Sequence, residues 1–167
     1  MTFDEMVQRR RSVRKYQAKP VERALLDQVL EAGRLAPSAT NAQTWHFTLV
    51  ESAALRDRLA AACCGQAMVA QAPLDLVVWS DGDRQMPCGQ SAATVDCSIA
   101  LSFMMLKATE LGLGTCWLGA FHADEVAHVL GLPESAVVVA VSPLGWPAEA
   151  PAARPRKALS EVSDLRA

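Results

Sequence analysis

The chain has 167 residues, which is the length of one ordinary domain and enough to bury a hydrophobic core. Apolar residues make up 51% of it and charged residues 20%, a composition typical of soluble globular proteins. The formal net charge of −2 excludes a general electrostatic preference for nucleic acid or for an anionic membrane surface.

The N-terminal part of the sequence predicts two helices separated by a basic segment. Residues 2–9 predict a short helix, which runs into the basic segment 9–15. A second helix is expected between Pro20 and Pro37, because apolar residues form one stripe there and the residue before a proline is pushed out of helical geometry.

The middle of the chain alternates strands and helices. A polar loop over residues 37–44 consists of turn-forming and cap-forming residues and leads into a strand at 46–50. An alanine-rich helix at 53–63 and a second strand at 74–79 follow. The longest predicted element is a helix over 92–111.

The predicted helix over 92–111 is apolar on nearly every face, above all in its stretch 99–106. A helix that is apolar all round is buried on all sides. A domain of this size has little room for that unless another subunit covers part of the helix, so we interpret the pattern as a sign of a homodimer. The alternative is a large core inside a single chain.

Shorter elements follow this helix. Glycines break it at 112–114, and a short strand at 115–118, a short helix at 124–130 and a β-branched strand at 136–141 come next. The last strand is expected to end before a Ser-Pro pair, and the proline-rich and alanine-rich tail cannot form a core of its own. A few short strands among helices predict an α+β fold.

Two basic clusters at opposite ends of the sequence are candidates for binding an anion. Arg10 and Arg14 alternate around the hydroxyl of Ser12, and Arg154 and Arg156 follow near the C-terminus. Guanidinium groups present paired donors that match phosphate oxygens. The alternative is a solvated basic surface, since neither cluster has the glycine spacing of a Walker loop or a Rossmann turn.

Two further segments suit a flat ring. The loop 37–44 offers amides and polar side chains that can hydrogen-bond the edge of a planar heterocycle, with an ordinary helix-to-strand turn as the alternative. The glycine-rich segment 112–121 lets a ligand come close to the backbone amides of Gly119 and Ala120. A tight helix-to-strand junction would explain the first two glycines of that segment without a ligand.

Side chains for acid–base or metal catalysis are scarce. His46 is interpreted as a strand-edge residue and His128 as a helix-surface residue, and no paired-carboxylate motif occurs. The five cysteines lack a CxxC or zinc spacing, so no metal site is predicted. We therefore expect a cofactor to carry the chemistry.

The cysteines and the termini favour a reducing compartment. Three cysteines lie in apolar surroundings and are interpreted as core residues, while the Cys63–Cys64 pair and Cys88 are alternatives as reactive thiols. The N-terminus runs into a charged stretch instead of a signal peptide, and no apolar run reaches the ~18 residues of a membrane span. The expected location is cytoplasmic, with no membrane and no nucleic-acid partner.

Four sequence blocks occur in a fixed order along the chain. They are RRSVR at 10–14, APSATNAQTWHF at 36–47, LGLGTCWLGAF at 111–121, and PLGWP at 143–147 followed by Arg156-Lys157. In this order and spacing the chain resembles the FMN-dependent nitroreductase family over nearly its whole length.

The resemblance implies an α+β fold in which helices flank a small mixed or antiparallel sheet. It also implies an intertwined homodimer with one FMN at each subunit interface. Residues 1–146 would form the flavin-binding domain. Residues 147–167 would be a C-terminal extension of the same domain that packs on the partner subunit.

The resemblance assigns a role to each matching position. Arg10 and Ser12 hold the FMN phosphate together with one or both C-terminal arginines, and Arg14 reaches toward the pyrimidine side of the flavin. The loop residues come from the partner subunit, and the amides of Gly119 and Ala120 face flavin N5. The full set of implied flavin-binding residues is Arg10, Arg11, Ser12, Arg14, Pro37, Ser38, Asn41, Gln43, Gln66, Leu118, Gly119, Ala120, Arg154 and Arg156.

The chain departs from the family pattern at three points. Thr44 stands where the family usually has a proline before the tryptophan. Some relatives place a polar side chain near the flavin pyrimidine after the first strand, and the candidates here are Gln66 and, less suitably, Met68. The chain is also shorter than many members, so we expect the lid over the flavin to be absent or reduced, which leaves the substrate open.

The implied function is an FMN oxidoreductase that uses NAD(P)H and works by a ping-pong cycle, with nitroaromatics or quinones as acceptors. One alternative is a flavin carrier or sensor without nitroreductase turnover. Another is a dehydrogenase, a dehalogenase or a flavin-cleaving relative on the same scaffold.

Overall fold

The central feature of the computed structural model, which describes residues 1–166, is one four-stranded antiparallel sheet. Its spatial order is β1-β2-β4-β3, so the two longest strands lie in the middle. The strands are β1 (Trp45–Val50), β2 (Leu74–Asp81), β3 (Gly114–Thr115) and β4 (Ala136–Gly145).

Six α-helices and two short 3-10 helices surround this sheet within residues 1–166. The helix α1 begins at a capping box in which Thr2 and Glu5 satisfy each other's backbone amides. The 3-10 helices cover Ala39–Asn41 and Leu159–Glu161. The α-helices are α1 (Phe3–Arg9), α2 (Arg23–Arg34), α3 (Ala53–Ala62), α4 (Ala67–Gln71), α5 (Ala92–Glu110) and α6 (Ala123–Leu130).

The two faces of the sheet bury two separate cores. Side chains alternate between faces along a strand, so Leu76 and Val78 of β2 join the core that α2 and α5 cover. Val77 and Trp79 join the core that α3, α4 and α6 cover on the other face. Helices on both sides of an antiparallel sheet confirm the predicted α+β class.

The helix α5 is the central helix of the first core. Nine of its residues are buried, among them Leu101 and Met104, and Met104 packs against the backbone of Gly33 in α2. By length and composition alone α5 could cross a membrane, yet half of its most apolar window is buried inside this chain. Its other side remains uncovered in the single chain, because Phe103 is 43% exposed.

Two predicted boundaries were wrong, and one short helix was missed. The last strand does not end before Ser142-Pro143, because pairing with β2 continues through both residues to Leu144 and β3 pairs with the end of the strand. These contacts outweigh the one missing amide donor of Pro143. The strand predicted at 115–118 consists of β3 and an isolated bridge at Leu118. The five-residue helix α4 was missed, since it is too short to show a helical period.

Candidate functional site

A cleft of about 810 Å³ lies between the N-terminal and C-terminal segments of the chain. The structure thus brings together the two basic clusters that are far apart in the sequence. The polar side chains that line the cleft are Gln8, Arg10, Arg11, Ser12, Arg14, Arg154 and Arg156.

Backbone pairing fixes the N-terminal side of the cleft to the sheet. The amide of Val13 donates to the carbonyl of Thr115 at 2.9 Å, so the segment that carries Ser12 runs beside β3. Gly114 is required for this approach, because a Cβ there would lie 2.8 Å from the side chain of Val13. Packing alone therefore accounts for Gly114.

A second set of contacts fixes the C-terminal side. The amide of Gln17 donates to the carbonyl of Trp146, and the amide of Ala148 donates to the carbonyl of Lys15, at 2.9 and 2.8 Å. The carboxylate of Glu149 lies just beyond and accepts the Arg14 amide at 2.6 Å. This short ladder holds the two chain segments side by side and sets the arginines across from one another.

The cleft carries uncompensated positive charge. Its five guanidinium groups form no salt bridge within residues 1–166. Those of Arg11, Arg14 and Arg156 donate to backbone carbonyls nearby. Several guanidinium donors and one hydroxyl around a cleft suit a phosphate group, which accepts paired hydrogen bonds.

The glycine-rich segment places its two candidate amides outside this cleft. Leu118 is buried and donates its amide to the carbonyl of Val141 at 2.8 Å. Gly119 and Ala120 follow at the surface, and their amides donate no hydrogen bond within the part of the chain described. A Cβ at Gly119 would meet nothing within 4 Å, so a ligand can reach this backbone.

The polar loop also lies away from the arginine cleft in the single chain. Pro37, Asn41 and Gln43 are exposed, Ser38 is half-buried, and none of them lines the cleft. Gln66 is half-buried at the start of α4, and the neighbouring Met68 packs against the second core. The candidate residues therefore lie in four places in one chain: the cleft, the glycine-rich segment, the polar loop and the start of α4.

Burial removes three cysteines from consideration as reactive thiols. Cys63, Cys97 and Cys116 are buried, and desolvation raises the pKa of the Cys63 thiol to about 12. Cys64 and Cys88 are exposed. All five cysteines are free, so none forms a disulfide.

The histidines have the predicted positions. His46 is exposed on β1 and stacks on Trp79 with the ring centroids 4.2 Å apart, and His128 is exposed on α6. Across residues 1–166, no group of three or more His, Cys, Asp or Glu side chains could hold a metal ion.

One buried carboxyl group was not predicted from the sequence. Asp75 is fully buried in β2, and neither of its oxygens has a hydrogen-bond partner within residues 1–166. Burial raises the pKa of Asp75 to about 8, and the positive charge of Arg56 opposes this shift. The sequence feature that could have revealed this buried carboxyl group is the single acidic residue inside the apolar run of residues 74–79.

Sheet, helices and cleft together define an α+β protein with an arginine-lined site for an anionic ligand. Comparison with known proteins identifies the family. The Nitroreductase family model matches residues 7–84 and 64–146. The NADH dehydrogenase of Thermus thermophilus is 33% identical over 173 residues, which cover 84% of each chain.

Solved structures support the same family assignment. A nitroreductase family protein from Clostridium difficile 630 matches with a TM-score of 0.88 at 29% identity, covering 100% of this chain and 99% of that one. The NADPH:FMN oxidoreductase from Vibrio harveyi, complexed with NAD+, matches with a TM-score of 0.89 at 26% identity, covering 98% and 76%. The chain belongs to the nitroreductase family.

Proposed function

We propose that this protein is an FMN-dependent oxidoreductase that transfers hydride from NAD(P)H to a nitroaromatic, quinone or similar acceptor in a ping-pong cycle. When bound, FMN supplies the hydride chemistry at its N5 atom. The protein's own residues bind the cofactor, orient it and balance its charge. The observation that carries the proposal is the arginine-lined cleft in a chain of this family.

The FMN phosphate is held in the cleft between the two chain segments. Arg10, Arg11 and Ser12 contribute from one side, and Arg154 and Arg156 contribute from the other. Their positive charge has no acidic partner within residues 1–166, so a dianionic phosphate is the complementary ligand. Backbone pairing of both segments prepares this arrangement before the cofactor binds.

Two features act on the ring of the cofactor. Arg14 would balance negative charge on the pyrimidine side of a bound flavin. The amides of Gly119 and Ala120 would hold its N5 side, which is supported by their exposure and by the open space beside Gly119. Gln66 and Leu118 complete the flavin-binding set.

The site is completed by a second copy of the chain. Pro37, Ser38, Asn41 and Gln43 of the partner line the flavin, and residues 147–167 pack on that partner as part of the same domain. Apolar side chains left uncovered in the single chain support this arrangement. They are Phe103 on α5 and, in the C-terminal segment, Leu159, Val162 and Leu165.

The working location is a reducing one, which we propose to be the cytoplasm. Five free thiols in one chain are compatible with such a compartment.

An absorbance spectrum tests the function directly. The purified protein is expected to be yellow, to release FMN on denaturation, and to be bleached by NADH or NADPH without oxygen. Addition of a quinone or a nitroaromatic compound should restore the colour. Bound flavin that neither donor bleaches would support a flavin carrier or sensor instead. Failure to bind added FMN would contradict the proposal.

Riboflavin provides the matched control for the phosphate site. It has the same ring but no phosphate, so its affinity should be far weaker if the arginine cleft binds the phosphate. Equal affinities for FMN and riboflavin would contradict that assignment while leaving the ring contacts in place.

A further inference from the structure

We propose that Arg84 and Asp96 are positioning residues that clamp residues 38–43 of the polar loop in a strained conformation required for flavin binding. The flavin-binding part rests on the proposed function above. The clamp itself rests on contacts within this chain, and it can be tested without any cofactor.

The strain lies in the backbone of the polar loop. Thr40, Asn41 and Gln43 have φ values of 57°, 56° and 52°, in the left-handed region. Glycine adopts this region freely, asparagine tolerates it, and a β-branched residue such as Thr40 rarely enters it. Such a conformation persists only where the surrounding structure enforces it.

Asp96 enforces this backbone conformation from the central helix α5. Its side chain is buried, with 3% of the residue exposed, and one carboxylate oxygen accepts the amide of Ala39 at 3.0 Å. The two residues are 57 positions apart, so this bond ties the loop to α5 and not to its own neighbours. Because α5 is the most buried helix, Asp96 is a fixed point.

Arg84 enforces the same backbone conformation from the segment between β2 and α5. One guanidinium nitrogen donates to the carbonyl of Ala39 at 3.2 Å and to the hydroxyl of Thr40 at 2.9 Å. The carbonyl of Arg84 in turn accepts the amide of Ala92 at 3.0 Å. Arg84 is therefore attached to the first residue of α5 and contacts the first left-handed residue of the loop.

Local hydrogen bonds explain the shape of the turn but not its placement. The carbonyl of Ser38 accepts the amide of Asn41, and its hydroxyl accepts the amide of Gln43, at 3.0 and 3.1 Å. These bonds would move with the loop. Within residues 1–166, Arg84 and Asp96 tie Ala39 and Thr40 to α5 and to the segment before it. The end of the loop is held separately to β2, where Thr44 accepts the amide of Asp81 at 2.9 Å and the hydroxyl of Ser80 at 2.8 Å.

The first test measures hydrogen exchange of the flavin-free protein. Arg84→Met removes both donated bonds and keeps most of the side-chain length. Loop amides that donate hydrogen bonds, those of Ala39, Asn41, Ala42 and Gln43, should exchange about tenfold faster, the effect of one lost charge-assisted bond. Arg84→Lys should restore part of the protection, and the exposed Arg23→Met should change nothing. Unchanged exchange in Arg84→Met would overturn the clamp.

The second test uses Asp96 and the cofactor. Asp96→Asn keeps an acceptor oxygen and should preserve most of the FMN affinity, whereas Arg84→Met should weaken it by about tenfold and alter the visible circular dichroism of bound flavin. The thermal midpoint of the flavin-free Arg84→Met variant should stay near that of the wild type. Faster loop exchange with unchanged FMN affinity and spectrum would overturn the positioning role. A wild-type protein that binds no FMN would overturn the proposed function, while the exchange result would still decide the clamp.

Discussion

The carboxylate of Glu149 accepts the backbone amide of Arg14 at 2.6 Å across 135 positions of sequence. The same oxygen accepts the amide of Lys15 at 3.2 Å. One acidic side chain in the C-terminal segment thus fixes the backbone next to the basic cluster at the N-terminus. Glu149 itself does not line the cleft.

Replacing Glu149 should therefore disturb the cleft indirectly. Glu149→Ala removes the acceptor of two amides and should lower FMN affinity by about tenfold, since a bond to a charged group contributes about 1.5–3 kcal/mol. Glu149→Gln retains an acceptor and should lose less. Fluorescence titration of FMN measures both variants. The exposed Glu134→Ala is the control. An unchanged affinity in Glu149→Ala would show that the backbone hydrogen bonds of Gln17 and Ala148 alone hold the segment.

The arginines themselves should make direct contributions. Arg10→Ala and Arg156→Ala each remove a donor to the phosphate and should weaken FMN binding about tenfold to a hundredfold. Binding of riboflavin should hardly change, because it lacks the phosphate. Flavin content equal to that of the wild type in both purified variants would remove the phosphate assignment.

The exposed apolar residues of the C-terminal segment should hold two subunits together. Changing Leu159, Val162 and Leu165 to Ser removes three side chains that are 77%, 65% and 92% exposed in the single chain. The triple variant should sediment as a monomer and lose FMN, because the partner's loop would be missing. Ser163→Ala is the matched control. A stable dimer of the triple variant would exclude the crossed C-terminal segment as the main contact.

The buried carboxyl group predicts a pH dependence of stability. Its folded pKa of about 8 lies above the ordinary value of 3.8, so the folded protein keeps a proton on Asp75 that the unfolded chain releases. The stability that this group contributes is complete below about pH 4 and declines by about 1.4 kcal/mol per pH unit up to pH 8.

Asp75→Asn removes that dependence and keeps the shape of the side chain. The variant should match the wild type near pH 4 in urea unfolding and should exceed its free energy of unfolding increasingly up to pH 8. Above pH 8 the difference should stay constant. A difference that does not change between pH 5 and 8 would show that Asp75 is not the titrating group.

Local patterns predicted most of the architecture. The apolar runs of α5 and β2 and the turn residues that bound them follow from composition, so both elements are predicted within one or two residues. The pairing partners of each strand were harder to predict. Nothing near Pro143 indicates that β4 continues beyond it, because the partners that outweigh the missing amide lie in β2 and β3.

The candidate site was likewise predictable only in part. The arginines were recognisable because their chemistry is specific, and the structure places both clusters around one cleft. Arg84, Asp96 and Glu149 act through contacts 44 to 135 positions away, and their local sequence carries no signal of them. Only the fold brings such pairs together.

The ladder that joins residues 14–17 to residues 146–149 also has a consequence for biosynthesis. The ribosome makes residues 10–14 of one wall long before residues 151–156 of the opposite wall. Until residues 146–156 emerge, the growing chain has no complete anion site. We therefore expect cofactor loading to follow the synthesis of this segment.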